Sequence, residues 1–234
     1  MKIDLKLAKK ADDVVITIDK HLVDTIKQKT ARTYLGGSVI GKECDRQLWY
    51  EYHQPILNQD PRIQRIFDMG HLLESYVIAL LKHSGYQVHH VDGENDAQFG
   101  FTDGKIAGNI DGVIILNDHP HLLEIKSASE KRFNEMVKKG VAISDPVYFT
   151  QMQVYMKYME LDKALFVAIN KNDCSIHIEV VEFDKMHADY MVNRGKEIVE
   201  MKSEPERKYK TKAFFKCQYC NYKEKCWDGS DKES

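Results

Sequence analysis

Residues 108–126 of the chain read GNIDGVIILNDHPHLLEIK, and this stretch decides the fold. Two apolar segments in it flank the sequence Asn-Asp-His-Pro, which is typical of a turn, so the stretch predicts a β-hairpin. Side chains alternate between the faces of a strand, so Glu124 and Lys126 are expected to point the same way. If the hairpin pairs as expected, Asp111 lies across from both side chains.

The two carboxylates and the ammonium group of this hairpin have the chemistry of a metal-assisted hydrolase site. Carboxylate oxygens hold Mg²⁺ or Mn²⁺ and leave coordination positions for water and a phosphate oxygen. Lys126 is suited to orient the attacking water and to offset the charge that develops on the phosphoryl group. The alternative is that Glu124 and Lys126 form an ion pair on the solvent face of a strand.

Periodicity along the rest of the chain predicts an α/β fold, in which a mixed central β-sheet is flanked by helices. Helices are predicted at residues 16–33 (with Asp19 as the N-cap), 44–52, 64–84 (ended by Gly85), 147–160 and 184–202. Strands are predicted at residues 86–91, 97–102, 110–116, 121–126, 164–170 and 175–180, and a glycine-rich loop at 36–43.

Composition narrows the class of protein. The chain is 43% apolar and 30% charged, which argues against collagen-like, disordered and coiled-coil proteins. No apolar run approaches the roughly 20 residues that span a bilayer, and Met1–Lys6 lacks the apolar segment of a secretory signal. A cytoplasmic protein without a membrane partner is therefore expected. The formal net charge of −2 gives no support to a DNA clamp based on overall charge.

Residues 207–225 carry a local basic patch. Seven lysine and arginine residues face one glutamate there, with five tyrosine and phenylalanine rings between them. Cations that contact phosphates and rings that stack on bases suit single-stranded nucleic acid. The alternative is a solvated tail whose rings pack on the body of the protein.

The acidic hairpin resembles the PD-(D/E)XK nuclease superfamily, with Asp111, Glu124 and Lys126 at its motif positions. Ile110 stands where that motif has proline, a departure common in the RecB-like branch. The resemblance implies a restriction-endonuclease-like core and hydrolysis of phosphodiester bonds.

Two further segments resemble RecB-like motifs. His71, with Glu74 one turn later, resembles the histidine motif, and Gln151 and Tyr155 resemble the Q-x-x-x-Y motif. The apolar stripe of the 64–84 helix (Met69, Leu72, Leu73, Tyr76, Val77, Leu80 and Leu81) is centred nearly opposite His71, so this histidine is expected to face water or a cleft. The alternatives are a solvated surface histidine and, for Tyr155, plain core packing.

The resemblance implies which residues do the chemistry. His71, Asp111, Glu124 and the Ile125 carbonyl would hold Mg²⁺ or Mn²⁺. Lys126 would position the attacking water, while Gln151 and Tyr155 would shape the substrate side of the site. Glu74 is a candidate hydrogen-bond partner of His71 or a solvated charge.

Three cysteines near the end of the chain, Cys217, Cys220 and Cys226, need a fourth ligand to complete a metal site. Their spacing leaves Cys44, Cys174 or a histidine open as that ligand. Cys44 lies in a Cys-x-Arg-x-x-Trp segment. One such cysteine followed by three C-terminal ones resembles the iron–sulfur nucleases of the AddB type and the CRISPR-associated RecB family. The resemblance implies a structural [4Fe–4S] cluster on Cys44, Cys217, Cys220 and Cys226, with zinc as the alternative.

These patterns together predict a metal-dependent DNA nuclease. The resemblance implies an exonuclease that acts preferentially on single-stranded ends, in recombination, repair or CRISPR adaptation. We expect one globular unit with three parts: a helical segment carrying Cys44 (1–60), the nuclease core (61–203) and a cluster-binding element (204–234). A catalytically inactive nucleic-acid-binding subunit on the same fold is the main alternative. An electron-transfer protein would leave the acidic residues unexplained.

Overall fold

The computed structural model describes residues 11–90 and 98–228 of the chain. Its helices are α1 (Ala11–Lys27), α2 (Asp45–His53), α3 (Pro61–His83), α4 (Glu130–Lys139), α5 (Val141–Ser144), α6 (Pro146–Met159), α7 (Lys185–Glu200), α8 (Phe215–Gln218) and α9 (Lys223–Asp228). Its strands are β1 (Leu35–Gly36), β2 (Val88–His89), β3 (Gly100–Asp103), β4 (Ile106–Asn109), β5 (Gly112–Leu116), β6 (His119–Ala128), β7 (Lys163–Asn170) and β8 (Ile176–Glu182). Within these ranges, no helix is both long and apolar enough to cross a bilayer.

The strands form two sheets. The larger has the order β2-β5-β6-β7-β8, in which β6 and β7 are parallel and the other neighbours are antiparallel. The smaller has the order β1-β4-β3. The mixed sheet with flanking helices confirms the predicted α/β class and is consistent with a restriction-endonuclease-like core.

The predicted hairpin is β5 and β6, with Gly112 opposite Leu123. Its turn is tighter than predicted, because His119 and Pro120 belong to β6. Asn117 and Asp118 alone form the turn, with φ angles of 49° and 61°. Asn and Asp tolerate this left-handed backbone better than other side chains, which explains why they close the hairpin.

Apolar side chains cover both faces of the large sheet. On one face, Leu122 and Phe166 pack with Met152 and Met156 of α6 in the main core. On the other, strand residues such as Leu123 and Ile125 pack with Val77 and Ile78 of α3. Glu124 and Lys126 alternate with Leu123 and Ile125, so they share the α6 face of β6.

The predicted buried stripe of α3 is wrong in part. Met69, Leu72, Tyr76 and Leu80 are exposed, whereas Val77 and Ile78 are buried. The helix carries apolar side chains over more than half of its circumference, and only the face turned to the sheet is covered. Sequence periodicity does not determine which part of a wide apolar surface packs against the sheet.

Several other boundaries differ from the prediction. Asp19 is not an N-cap, because α1 already begins at Ala11; its carboxylate instead pairs with Arg65 of α3. Helices α4 and α5 and strands β1 and β4 were not predicted. The prediction of strands at 86–91 and 97–102 is met by the shorter β2 and β3, and residues 91 and 97 lie outside the described ranges.

Side chains of α2 contact the segment that follows α7. The Arg46 guanidinium and the Tyr50 hydroxyl both contact the carboxylate of Glu204. Trp49 Nε1 donates a 3.1 Å hydrogen bond to the Met201 carbonyl. These contacts connect the helix after Cys44 to the chain that leads into the C-terminal cysteines.

Candidate active site

Asp111 lies where the chain leaves the small sheet and enters the large one. β4 ends at Asn109 and β5 begins at Gly112, so Asp111 is in the short connection between the two sheets. Its Oδ2 accepts a 2.7 Å hydrogen bond from the backbone amide of Ile125. This bond places the Asp111 carboxylate beside the middle of β6, as the hairpin prediction required.

Glu124 is fully buried, at 0% exposure, and its Oε1 forms an ion pair with Lys126. Its Oε2 is buried without a hydrogen-bond partner among the described residues. Burial, with the Asp111 charge as a further cause, raises the pKa of Glu124 to about 8 although Lys126 opposes the shift. The predicted alternative of a solvent-exposed Glu124–Lys126 pair is therefore wrong.

Lys126 stays protonated in this setting. Burial by itself would lower the pKa of the ammonium group, but the charges of Glu124 and Asp111 outweigh burial and raise it. A lysine held as a cation offers hydrogen-bond donors to water or to a phosphate oxygen. It is not available as a proton acceptor at neutral pH.

Glu74 of α3 approaches the same group of charges. Burial, and next the negative charge of Asp111, raise the pKa of the Glu74 carboxyl. His71 Nδ1 lies 3.6 Å from Glu74 Oε2, and the His71 side chain is 80% exposed. His71 is thus directed away from the core as predicted, and Glu74 lies deeper in the site than the sequence suggested.

The structure brings Asp111, Glu124 and Lys126 together, with Glu74 and His71 at the margin. Among the described residues, however, no three His, Cys, Asp or Glu side chains are arranged as a complete metal-binding group. The donor set nevertheless suits a hard divalent ion, because the buried Glu124 Oε2 lacks a partner that such an ion would supply.

Gln151 and Tyr155 lie one helical turn apart on α6, and both are buried. A Cβ atom added at Gly108 would lie 2.8 Å from the Tyr155 ring, and one at Gly37 would lie 2.5 Å from it. Glycine at both positions therefore lets the ring pack against the backbone of β4 and of the residue that follows β1. Burial and the nearby Glu124 charge raise the pKa of the Tyr155 hydroxyl, which remains a proton donor.

Two residues near Lys126 were missed at the sequence level. Lys126 Nζ lies 5.2 Å from the centroid of the Tyr148 ring, and Arg132 Cζ lies 4.6 Å from the same centroid. Arg132 Nε also donates a 2.7 Å hydrogen bond to Asp145, the N-cap of α6. Tyr148 lies on the predicted helix 147–160 but in no motif, and Arg132 lies on a helix that was not predicted, so no pattern identified either residue.

The four cysteines Cys44, Cys217, Cys220 and Cys226 all line one small cavity. Burial raises the pKa of the Cys220 thiol, with Cys44 and Cys217 contributing. These four thiols thus lie around one cavity. Their side chains do not form a complete metal-binding group, so the predicted iron–sulfur cluster is not supported by the structure.

Cys174 does not belong to this group. It is exposed and has a φ angle of 63° in the turn between β7 and β8. Cys174, which the spacing left open as the fourth ligand, does not line the cavity that the other four cysteines share.

The rings of the basic patch divide into two kinds. Tyr222 is buried and stacks on Tyr50 at a centroid distance of 5.3 Å. Phe215 and Tyr219 are exposed. Lys216 pairs with Glu43, which reduces the net positive charge on that side. Both readings of the patch are thus partly met: some rings pack on the body and others face solvent.

Comparison with solved structures shows the fold. An alkaline exonuclease from Laribacter hongkongensis matches with a TM-score of 0.51 at 18% identity, over 72% of this chain and 87% of that one. A second structure of it, in complex with dAMP, matches with a TM-score of 0.50 at 15% identity, over 77% and 90%. The protein SSO0001 matches with a TM-score of 0.51 at 15% identity, over 89% and 94%.

No family model matches the chain, and no curated protein matches it. At these identities the likeness to the exonuclease structures shows a shared fold. The class defined by fold and site is accordingly an α/β protein with a buried Asp-Glu-Lys group at the junction of its two sheets.

Proposed function

We propose that this chain is a divalent-metal-dependent DNA exonuclease that hydrolyses phosphodiester bonds. One observation carries the proposal: Glu124 is fully buried between Asp111 and Lys126, and its Oε2 has no hydrogen-bond partner among the described residues. A carboxylate is rarely buried in this way unless it holds a cation or takes part in chemistry. The shared fold with an alkaline exonuclease supports the same conclusion.

Asp111, Glu124, His71 and the Ile125 carbonyl are the proposed ligands of Mg²⁺ or Mn²⁺. Such an ion polarises a phosphoryl oxygen and lowers the pKa of bound water. Asp111 is held in place by the Ile125 amide, which fixes one carboxylate without using both of its oxygens. Glu74, which contacts His71, is the proposed residue that orients the imidazole.

Lys126 is proposed to position the attacking water and to offset negative charge on the scissile phosphate. Its raised pKa keeps it cationic, which suits electrostatic stabilisation rather than proton abstraction. Tyr148 and Arg132 border the same side chain. We assign the Nη1 group of Arg132 to a neighbouring backbone phosphate, because Nε and Nη2 already contact Asp145 and a charged guanidinium donates strongly to phosphate oxygens.

Single-stranded DNA ends are the proposed substrate. The exposed rings of Phe215 and Tyr219 lie among lysines, a combination that stacks on bases and contacts phosphates. Gln151 and Tyr155 are proposed to hold the α6 side of the site in shape. The complex of the exonuclease neighbour with dAMP supports a nucleotide as the product type. A role in recombination, repair or CRISPR adaptation rests on the RecB-like resemblance alone.

The four cysteines are proposed to bind a structural [4Fe–4S] cluster, with zinc as the alternative. The support is their shared cavity and their thiol chemistry, which suits either iron–sulfur or zinc. Arg207 Nε donates a 3.0 Å hydrogen bond to the Cys226 carbonyl, which fixes the backbone at this position. Ligation across residues 44–226 would connect the two ends of the described chain.

The test is cleavage of end-labelled single- and double-stranded DNA in Mg²⁺, Mn²⁺ or EDTA. Wild-type protein is expected to release nucleotides from single-stranded ends with either metal and to be inactive in EDTA. Lys126→Met is expected to bind the same DNA in Ca²⁺ with little change but to lose cleavage. DNA binding without cleavage in every metal would instead identify a non-catalytic nucleic-acid-binding subunit.

A further inference from the structure

β8 is an edge strand of the large sheet that presents an apolar surface. It pairs with β7 on one side, and it is the last strand in the order. Its residues Ile176, Ile178 and Val180 are 46%, 52% and 50% exposed. Natural edge strands usually carry charges, proline or a covering element that prevents pairing with another chain. Ile176, Ile178 and Val180 are instead uncharged β-branched residues, which favour pairing with another strand.

The apolar face of the sheet continues across β7 and stops at this edge. The β7 residues opposite the exposed side chains are buried: Val180 lies opposite Leu165, Ile178 opposite Val167 and Ile176 opposite Ile169. The core layer between α3 and the sheet therefore ends in half-covered side chains. A further strand of the same character would complete their burial.

The other face of β8 carries His177 and Glu179 between the apolar residues. Glu179 Oε2 accepts a 2.8 Å hydrogen bond from the amide of Val141 at the start of α5. His177 Nε2 is buried and has no hydrogen-bond partner among the described residues. Near this edge, α4 and α5 also expose Val137 and Ile143. The apolar side chains at this edge are therefore only half covered, whereas Glu179 is bonded to Val141 and its Oε2 lies 3.8 Å from His177 Nε2 of the same strand.

We propose that β8 is a dimerisation strand, which pairs antiparallel with β8 of a second copy of this chain about a two-fold axis at Ile178. The strand is complementary to itself in this register. Ile178 faces Ile178, and Ile176 faces Val180 of the second copy, so all three apolar residues meet apolar residues. On the opposite face, His177 of each copy faces Glu179 of the other.

Alternative registers lose this match. A shift by one residue places apolar side chains opposite polar ones, because facing residues point to the same side of a sheet. A shift by two residues in one direction brings Glu179 opposite itself, and like charges that face each other are destabilising. A shift by two in the other direction brings Glu179 opposite Ser175 and leaves Ile178 facing Ile176, so that Val180 loses its apolar partner. Charge and apolar pattern thus select one register, and they select a second copy rather than an unrelated strand.

Site-directed cross-linking tests the register directly. In the full chain with Cys174→Ser, which removes the exposed thiol, Ile178→Cys is oxidised mildly with diamide. Facing residues have Cα atoms about 4.5–5.5 Å apart, which a disulfide spans. Ile178→Cys is therefore expected to form a covalent dimer. Ile176→Cys is the matched control, because its two copies would lie about 13 Å apart, too far for a disulfide.

A mixture of Ile176→Cys and Val180→Cys proteins extends the test. The register predicts a cross-link between the two variants and none within either alone. Absence of a covalent dimer for Ile178→Cys, or equal cross-linking of Ile178→Cys and Ile176→Cys, overturns the proposal.

Mass measurement by light scattering supplies an independent readout. Wild-type protein is expected at twice the chain mass of 27.2 kDa. Ile178→Lys, which places two ammonium groups opposite each other on an exposed position, is expected to raise the dimer dissociation constant about tenfold or more. A monomeric wild-type protein at micromolar concentration overturns the proposal, and the nuclease assignment would stand unaffected.

Discussion

The carboxylate of Asp111 accepts a 2.7 Å hydrogen bond from the backbone amide of Ile125. Through this bond, the connection between the two sheets is fixed to the centre of β6, with Glu124 before the donor and Lys126 after it. The placement of Asp111, in that connection, relative to Glu124 and Lys126 on β6 thus depends on one backbone contact. Asp111 therefore has two roles: it fixes the connection by accepting this hydrogen bond, and it carries a negative charge. Different substitutions can distinguish the two roles.

Asp111→Asn is expected to keep the fold and lose the activity. The asparagine carbonyl can still accept from Ile125, but the negative charge that supports a divalent ion is absent. We expect cleavage to fall about 10²–10³-fold, or about 3–4 kcal/mol of transition-state stabilisation. A reduced single-turnover rate together with an unchanged thermal unfolding temperature would show that the activity is lost while the fold is kept.

Asp118→Asn is the matched control, because Asp118 is exposed in the turn of the same hairpin. It is expected to cleave DNA at the wild-type rate. Wild-type activity in Asp111→Asn would contradict the assignment of Asp111.

Glu124→Gln is expected to change how stability depends on pH in the metal-free protein. The folded pKa of Glu124 is about 8 against an ordinary value of 4.5. Between these values the folded state holds a proton that the unfolded state has released, so stability falls as pH rises. Glutamine does not titrate, so the unfolding free energy of Glu124→Gln relative to wild type should grow as pH rises through this window, with a limiting slope of about 1.4 kcal/mol per pH unit.

Thermal unfolding in EDTA at a series of pH values measures this difference. Glu182→Gln, which alters an exposed carboxylate on β8, is the control and is expected to follow the wild-type pH profile. Parallel profiles for wild type and Glu124→Gln would show that the carboxyl is not buried as described.

Arg132→Gln is expected to weaken DNA binding without a preference for sequence. A residue that neutralises one phosphate contributes about 0.7 to the slope of log affinity against log salt for a single strand. Loss of Arg132 should lower the slope by that amount. Fluorescence anisotropy in Ca²⁺ measures it, with Lys138→Gln, exposed on the same helix, as the control. An unchanged slope would remove Arg132 from the phosphate-binding surface.

Cys217→Ser is expected to lose the metal centre, whereas Cys174→Ser is expected to keep it. Thiolate ligands contribute folding free energy through the metal, so soluble yield should fall with Cys217→Ser alone. Metal analysis of protein purified without oxygen distinguishes iron from zinc. Equal metal content in both variants, or none in wild type, would contradict the proposed four-cysteine site.

The hairpin was predictable because its signal is local. Two apolar segments around Asn117 and Asp118 predict both strands and the turn. The alternation of side chains along a strand then places Glu124 and Lys126 on a common face. The grouping of Cys44 with the three C-terminal cysteines came from the family resemblance. The cysteine spacing alone left Cys174 or a histidine open as the fourth ligand.

The remaining features depend on contacts between distant segments. Helix α3 has two apolar faces, and only the sheet determines that Val77 rather than Leu72 is buried. Arg132 lies at the site because it donates a hydrogen bond to Asp145 and packs over the Tyr148 ring. Neither the burial of Val77 nor the contacts of Arg132 can be predicted from a periodic pattern in the neighbouring sequence.

The most direct test of the central claim is the anomalous scattering of a crystal soaked in Mn²⁺. We expect an ion bound by Asp111 and Glu124, about 2.0–2.3 Å from the ligating oxygens, with His71 turned inward to join them. Loss of the same peak in Asp111→Asn crystals would accompany loss of cleavage. A wild-type crystal with no manganese at these carboxylates, under conditions in which the protein degrades DNA, would contradict the account.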